Sequence, residues 1–235
     1  MDLAFDELRP SDFSFIEHVW RSHSEAAGRF ISMADIHCGI VVSNVHGKLW
    51  VTFRGPETAW SSAVVPPDAE WLGIVLRPGV YLSVMPPAQV MDRRDLTFPG
   101  SRRRGFAFAG MSVEVPNFSN AEDLVRRLFR EGVLSYDPLV GAVLQKRTVD
   151  MSERNTQRRF RHATGLVPTT ALQIERARRA VRLLKKGQSA TDVAFTVGYY
   201  DQPHMTRSFR RFIGVSPARL PSQDRIETLS FLYDE

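Results

Sequence analysis

Apolar residues recur along this chain with two different periods, and the change from one to the other divides it. In Lys48–Arg54, Leu49, Val51 and Phe53 alternate with Trp50, Thr52 and Arg54, a period of two that predicts a half-buried strand. Ile36–Ser43, Trp60–Val65, Glu70–Leu76, Val80–Met85 and Phe106–Val115 predict further strands. Turn chemistry separates them at Asn44–Lys48, Gly55-Pro56, Pro66-Pro67, Pro78-Gly79 and Pro86-Pro87. Asp12–Trp20 predicts a short helix and Ala88–Arg94 one or two helical turns. Several short strands with frequent turns predict a small barrel or a curled sheet.

After Pro116–Asn120, which reads as a linker, the period becomes helical. Ser119 and Glu122 form a capping-box pair ahead of the stripe Leu124, Val125, Leu128 and Phe129, and Gly132 closes that helix. Asp137-Pro138 is an N-cap and first-turn pair for a helix facing inward through Leu139, Val140, Val143 and Leu144. Ser152 caps the next helix, which runs to Gly165. Pro168–Lys186 predicts one long helix with Leu172, Ala177, Ala180, Val181 and Leu184 buried. Arg176, Arg178, Arg179, Arg182, Lys185 and Lys186 then give it a basic exterior, some of it near phosphates. At a rise of ~1.5 Å per residue it spans roughly 28 Å.

The stretch from Ser189 to Pro217 holds two short helices around a tight turn. Val193, Ala194 and Val197 mark the buried face of the first, and Gly198 ends it where a left-handed residue is needed. Asp201 caps the second, Pro203 falls in its first turn, and Met205, Phe209 and Phe212 face the core. A small Ala at the crossing, a Gly in the turn and an Arg-bearing second helix fit a helix-turn-helix. Ser216-Pro217 predicts a short closing helix, followed by a tail over 221–235.

Charge changes this picture. The 235-residue chain carries a net +5, but residues 148–220 hold 14 basic residues against five acidic ones, leaving the remainder acidic. A basic block joined to an acidic one fits a polyanion binder carrying a second module. An apolar fraction of 43% allows a packed core, and no apolar run reaches membrane-spanning length. The acidic start is no signal peptide, so a cytoplasmic location is expected. Cys38, the only cysteine, is expected to be a small buried hydrophobe. His18, His23, His37 and His46 share no metal-ligand spacing, and no GxSxG, P-loop or paired-Cys pattern occurs, so no metal, cofactor or catalytic residue is expected.

The run DVAFTVGYYDQPHMTRSFRRFIGVSPARL resembles the second helix-turn-helix of AraC/XylS-type bacterial transcription regulators. Val193, Ala194, Gly198, Tyr199, Asp201, Met205, Arg207, Phe209, Arg210, Gly214, Ser216 and Pro217 carry the match. Tyr199 replaces the usual Phe, Pro203 a Ser and Met205 a Phe. Ser152, Arg158, Phe160, Arg161 and Gly165 match the first recognition helix, with Thr156 where Leu is usual. More loosely, Gly73 and the run GIVLRPGVYL look like the β module of a subgroup of these regulators.

The resemblance implies an α+β chain: a β-rich, barrel-like or curled-sheet module over 1–115, a linker, and an all-α DNA-binding domain over 121–220. Within that domain the first helix-turn-helix covers about 137–165, a linker helix 168–186, and the second helix-turn-helix about 189–214. Arg154, Asn155, Gln157, Arg158 and Arg161 are the candidates for one major groove, and Gln202, Pro203, Thr206, Arg207 and Arg210 for the next. Arg suits the guanine acceptors, and Gln or Asn the adenine edge. The implied partners are operator DNA, RNA polymerase, a small-molecule effector and a second copy of the chain. Trp50, Trp60, Trp71 and Tyr81 are candidates for an effector pocket, or else plain strand core. Arg102-Arg103-Arg104 reads as a solvated loop or a phosphate contact. The alternatives are an enzymatic β module and a ligand-free dimerisation cap.

Overall fold

The computed structural model describes residues 3–92, 94–99 and 105–220. The strands are β1 (Leu3–Pro10), β2 (Ile16–Ser24), β3 (Gly28–Ser32), β4 (Gly39–Val45), β5 (Lys48–Arg54), β6 (Ser61–Val65), β7 (Ala69–Leu76), β8 (Val80–Leu82), β9 (Leu96–Pro99), β10 (Gly105–Phe108), β11 (Met111–Glu114) and β12 (Leu134–Tyr136). The helices are α1 (Ala121–Arg130), α2 (Pro138–Leu144), α3 (Glu153–Thr164), α4 (Pro168–Lys185), α5 (Ala190–Thr196) and α6 (Gln202–Phe212), with a 3-10 turn at Pro87–Gln89. The chain forms two compact units. One takes the chain up to Gly28, His37–Pro56 and Val65–Pro168; the other takes Arg29–Ile36, Glu57–Val64 and the chain from Thr169 onward. These units divide the chain differently from the expected segments.

In the first unit six antiparallel strands run in the order β1-β2-β7-β4-β5-β9, an open curled sheet rather than a closed barrel among the described residues. Register puts Val19, Ile74, Ile40 and Phe53 in one row and Leu72, Val42 and Val51 in the next, so alternate residues supply a single apolar face. Phe106, Phe108 and Val113 from the β10–β11 hairpin and Leu124, Val125 and Leu128 from α1 complete that core. On the opposite face the Trp20 indole lies where a Cβ on Gly73 would stand, which is why that position is glycine. Cys38, the only cysteine, is buried.

Three local expectations are corrected. Asp12–Trp20 is not a helix: Ile16–Ser24 is a strand paired on both sides, by β1 and β7. Its residues are buried on both faces, which blurs the period of two. Phe106–Val115 folds back on itself as β10 and β11, with Ala109 and Gly110 both at positive φ in the turn. The Ser119 capping box does not form. Asn120 stands at the N-cap, and the Glu122 carboxylate turns instead to Arg9 (2.6 and 2.9 Å) and the Ser11 hydroxyl (2.8 Å). At Ser216, where a short closing helix is expected, a turn closes on the Arg219 amide and leads into a 3-10 residue at Leu220, the last described residue. Arg102–Arg104 and the 221–235 tail lie outside the described residues. Among those described, no helix is long and apolar enough to cross a membrane.

Candidate nucleic-acid interface

The first helix-turn-helix is built around Asp137. Its Oδ1 accepts from the Leu139 amide at 3.0 Å, capping α2 as its place before Pro138 predicts. Both carboxylate oxygens also receive Arg159 from α3, Nε to Oδ2 at 3.0 Å and Nη2 to Oδ1 at 2.7 Å. This two-pronged hydrogen bond, reinforced by the opposite charge, raises the Arg159 pKa further. Arg159 is therefore a strut between α3 and the start of α2 within an Arg-rich run.

Ser152 caps α3, its hydroxyl accepting from the Asn155 amide at 3.4 Å. Phe160, Ala163 and Thr164 form the buried side. Thr156, at the position where Leu is usual, is half-buried and returns its hydroxyl to the Ser152 carbonyl at 3.1 Å. Arg154, Asn155, Arg158 and Arg161 are exposed on the opposite side. Gln157 flanks them, its amide donating to Glu153 at 3.0 Å. Gly165 ends the helix in the left-handed conformation (φ +73°), where a side chain would run into Met91 and the Ala88 backbone.

The second helix-turn-helix lies wholly in the other unit. Ser189 caps α5 through the Asp192 amide (3.1 Å), and Asp201 caps α6 through the His204 amide (2.6 Å). Between them Gly198 (φ +80°) lets the Tyr199 amide return to the Ala194 carbonyl at 2.8 Å. Tyr199 is buried and donates to the Ser208 hydroxyl at 2.8 Å; burial pushes its phenol up. Arg176 of α4 lies over the same ring at 5.6 Å. Met205, Phe209 and Phe212 are buried as the spacing predicts. Pro203, Arg207 and Arg210 are exposed, and with Gln202 and Thr206 they line one open groove. Thr206 gives its hydroxyl to the Gln202 carbonyl at 3.0 Å. No acidic residue occurs in α6, so its outward stripe carries positive charge only.

One residue of the expected basic exterior is not exterior. Arg178 is 1% exposed, donates to the Ala34 carbonyl at 3.0 Å and faces Asp35 at 3.6 Å. Ile174, which the sequence reading passed over, is buried beside it on α4. Two large exposed side chains were not anticipated: Phe195 is 88% and Tyr200 92% exposed.

The four candidate effector aromatics do not come together. Trp71 lines a cavity of about 480 Å³ at one end of the large sheet, with Arg21, His23, Asn44, Glu70 and Phe118 among its neighbours. In it His23 Nδ1 meets Asp6 at 2.7 Å and the Asn44 amide donates to Glu70 at 3.1 Å. Trp50 shares a register row with Trp71 through Ser43 but is 38% exposed and is not part of the cavity lining. Tyr81 meets the His162 ring of α3 edge-on at 5.5 Å. Trp60 belongs to the other unit, where its indole donates to the Arg210 carbonyl. Among the described residues no three His, Cys, Asp or Glu side chains gather as metal ligands would.

Residues 147–223 match the family model described as a helix-turn-helix domain. No curated protein matches the chain. Among solved structures the chain is similar to ToxT from Vibrio cholerae, at a TM-score of 0.44 and 8% identity over 87% of this chain and 96% of that one. A structure of ToxT from Vibrio cholerae O395 gives 0.43 and 7% over 87% and 95%. A third, of the O395 protein bound to (E)-4-(8-methylnaphthalen-1-yl)but-3-enoic acid, gives 0.41 and 9% over 87% and 97%.

Proposed function

We propose that the chain, whose residues 147–223 match a helix-turn-helix domain, is a DNA-binding transcription regulator that reads a specific duplex through α3 and α6 in successive major grooves. The observation that carries this reading is the pair of capped helices, each buried on one face and lined on the other by exposed Arg, Gln or Asn. In this reading Arg154, Asn155, Gln157, Arg158 and Arg161 serve one groove, and Gln202, Pro203, Thr206, Arg207 and Arg210 the other. α4, 18 residues long, spans about 27 Å. That length suits a spacer between grooves about 34 Å apart on one face of DNA. The DNA-binding domain then runs over about 121–220. The remaining β strands sense an effector or pair with a second copy, and the protein acts on cytoplasmic DNA together with RNA polymerase.

Selection of duplexes from genomic DNA by the full chain tests this. A defined site should emerge, and Arg207→Ala should weaken binding to it by ~1–3 kcal/mol while relaxing one base position. An equal loss on every sequence, with a shallower salt dependence, would make Arg207 a phosphate anchor. For the effector, the cavity around Trp71 is lined both by apolar Val42, Leu49 and Leu72 and by polar Arg21, Asn44 and Glu70, which suits a small molecule with apolar and polar parts. Thermal shift across a metabolite panel separates the readings: reproducible stabilisation supports a sensor, turnover an enzyme, and neither supports a dimerisation cap.

A further inference from the structure

An α-helix ends with four carbonyls that have no partner inside it. In α6 they belong to Phe209, Arg210, Arg211 and Phe212. The Phe209 carbonyl takes the Ile213 and Gly214 amides at 2.9 and 3.0 Å, which is ordinary local closure. The other three are met by residues from far earlier in the chain. The Trp60 indole N–H donates to Arg210 at 3.0 Å, the Trp60 amide to Arg211 at 3.3 Å, and the Ala34 amide to Phe212 at 2.7 Å. The Trp60 ring also lies against the backbone where the chain leaves α6, since a Cβ on Gly214 would fall 2.7 Å from it.

The two segments that deliver these donors are themselves braced. Asp35 and Glu57 exchange backbone hydrogen bonds at 2.9 and 2.8 Å, and β3 pairs with β6. The Ala34 carbonyl receives the buried Arg178 guanidinium of α4. Ala34 thus joins α4 through its C=O and α6 through its N–H. A buried guanidinium needs partners of this kind, so Arg178 favours one placement of the segment.

We infer that Trp60 and Ala34 are positioning residues for DNA reading. They fix the C-terminal end of α6, and the exposed Arg207 and Arg210 stand on the same last turns. The inference rests on the proposed reading of α6 as a groove-reading helix. It adds that the second DNA reader is not self-contained: part of its frame comes from residues 29–36 and 57–64.

The test uses the full chain, hydroxyl-radical footprinting and binding titrations on a duplex the wild type selects. Arg207→Ala first identifies the half of the site read by α6. Trp60→Ala removes the indole bond and the ring, and should weaken binding about tenfold, with protection lost in that half alone. Trp60→Phe keeps a ring on Gly214 and the backbone bond, and should restore most of the affinity. Wild-type affinity and footprint in Trp60→Ala would overturn the inference. So would an equal loss in both halves, accompanied by a lower melting temperature, that Phe does not repair. Failure of the wild type to select any duplex would instead bring down the DNA-reading proposal itself, leaving the clamp nothing to position.

Discussion

In the first helix-turn-helix, α3 is tied near its middle by one side-chain fork, Arg159 on Asp137. In the second, α6 is tied at its end by three backbone carbonyls and a flat indole. The ionic theme recurs in the first unit, where the Glu122 carboxylate anchors α1 to Arg9. Two helices with the same amphipathic plan can therefore be held by unlike means. A charged fork is directional and is screened by salt, whereas capped carbonyls and packed rings are screened far less.

The largest expected effects break the comparison at one buried phenylalanine in each unit. Phe160 and Phe209 are both fully buried, and replacing either by Ala should cost about 3–5 kcal/mol in denaturant unfolding. Each variant should shift a different transition if the two units unfold separately. One transition moved equally by both would show that they unfold together.

A smaller effect sharpens the contrast at the turns. Gly198 is left-handed with open space where a Cβ would stand, so Gly198→Ala should cost about 1–2 kcal/mol from backbone conformation alone. Gly165 has the same handedness but faces Met91 and Ala88, so Gly165→Ala should lower the melting temperature further.

The smallest effect is acid sensitivity. Glu122 is held at about 2 by its hydrogen bonds to Arg9, against an opposing desolvation contribution and with help from Ser11. Its folded pKa lies below the ordinary value of 4.5, so the folded chain binds fewer protons there. The stabilisation is complete above about 4.5 and is lost as the pH falls towards 2. Melting temperatures of wild type and Glu122→Gln should differ at pH 7 and converge through that window. A gap unchanged down to pH 2 would remove the ionic account of α1.

Local features were legible in the chain. The caps Asp137, Ser152, Ser189 and Asp201 lie where predicted, as do the left-handed Gly132, Gly165 and Gly198 and the inward Met205, Phe209 and Phe212. Cap, turn and amphipathic face are decided by bonds and spacings within a few residues, so a short window contains their cause. Helix identity in Asp12–Trp20 failed because β2 is sandwiched between neighbours and buried on both faces, which removes the periodic signal.

What no window could contain was the partner of each face. Arg178 has the spacing of a surface arginine, yet its guanidinium is satisfied by Ala34, 144 residues earlier. Trp60 reads as one more strand aromatic until its indole meets Arg210, 150 residues later. From Ala121 onward, sequence alone settled where the helices cap, where they stop and which side they hide. Only the folded chain decided which polar groups across such distances satisfy one another, because a hydrogen bond or a buried charge is fixed by the atom that arrives, and periodicity says nothing of which one that is.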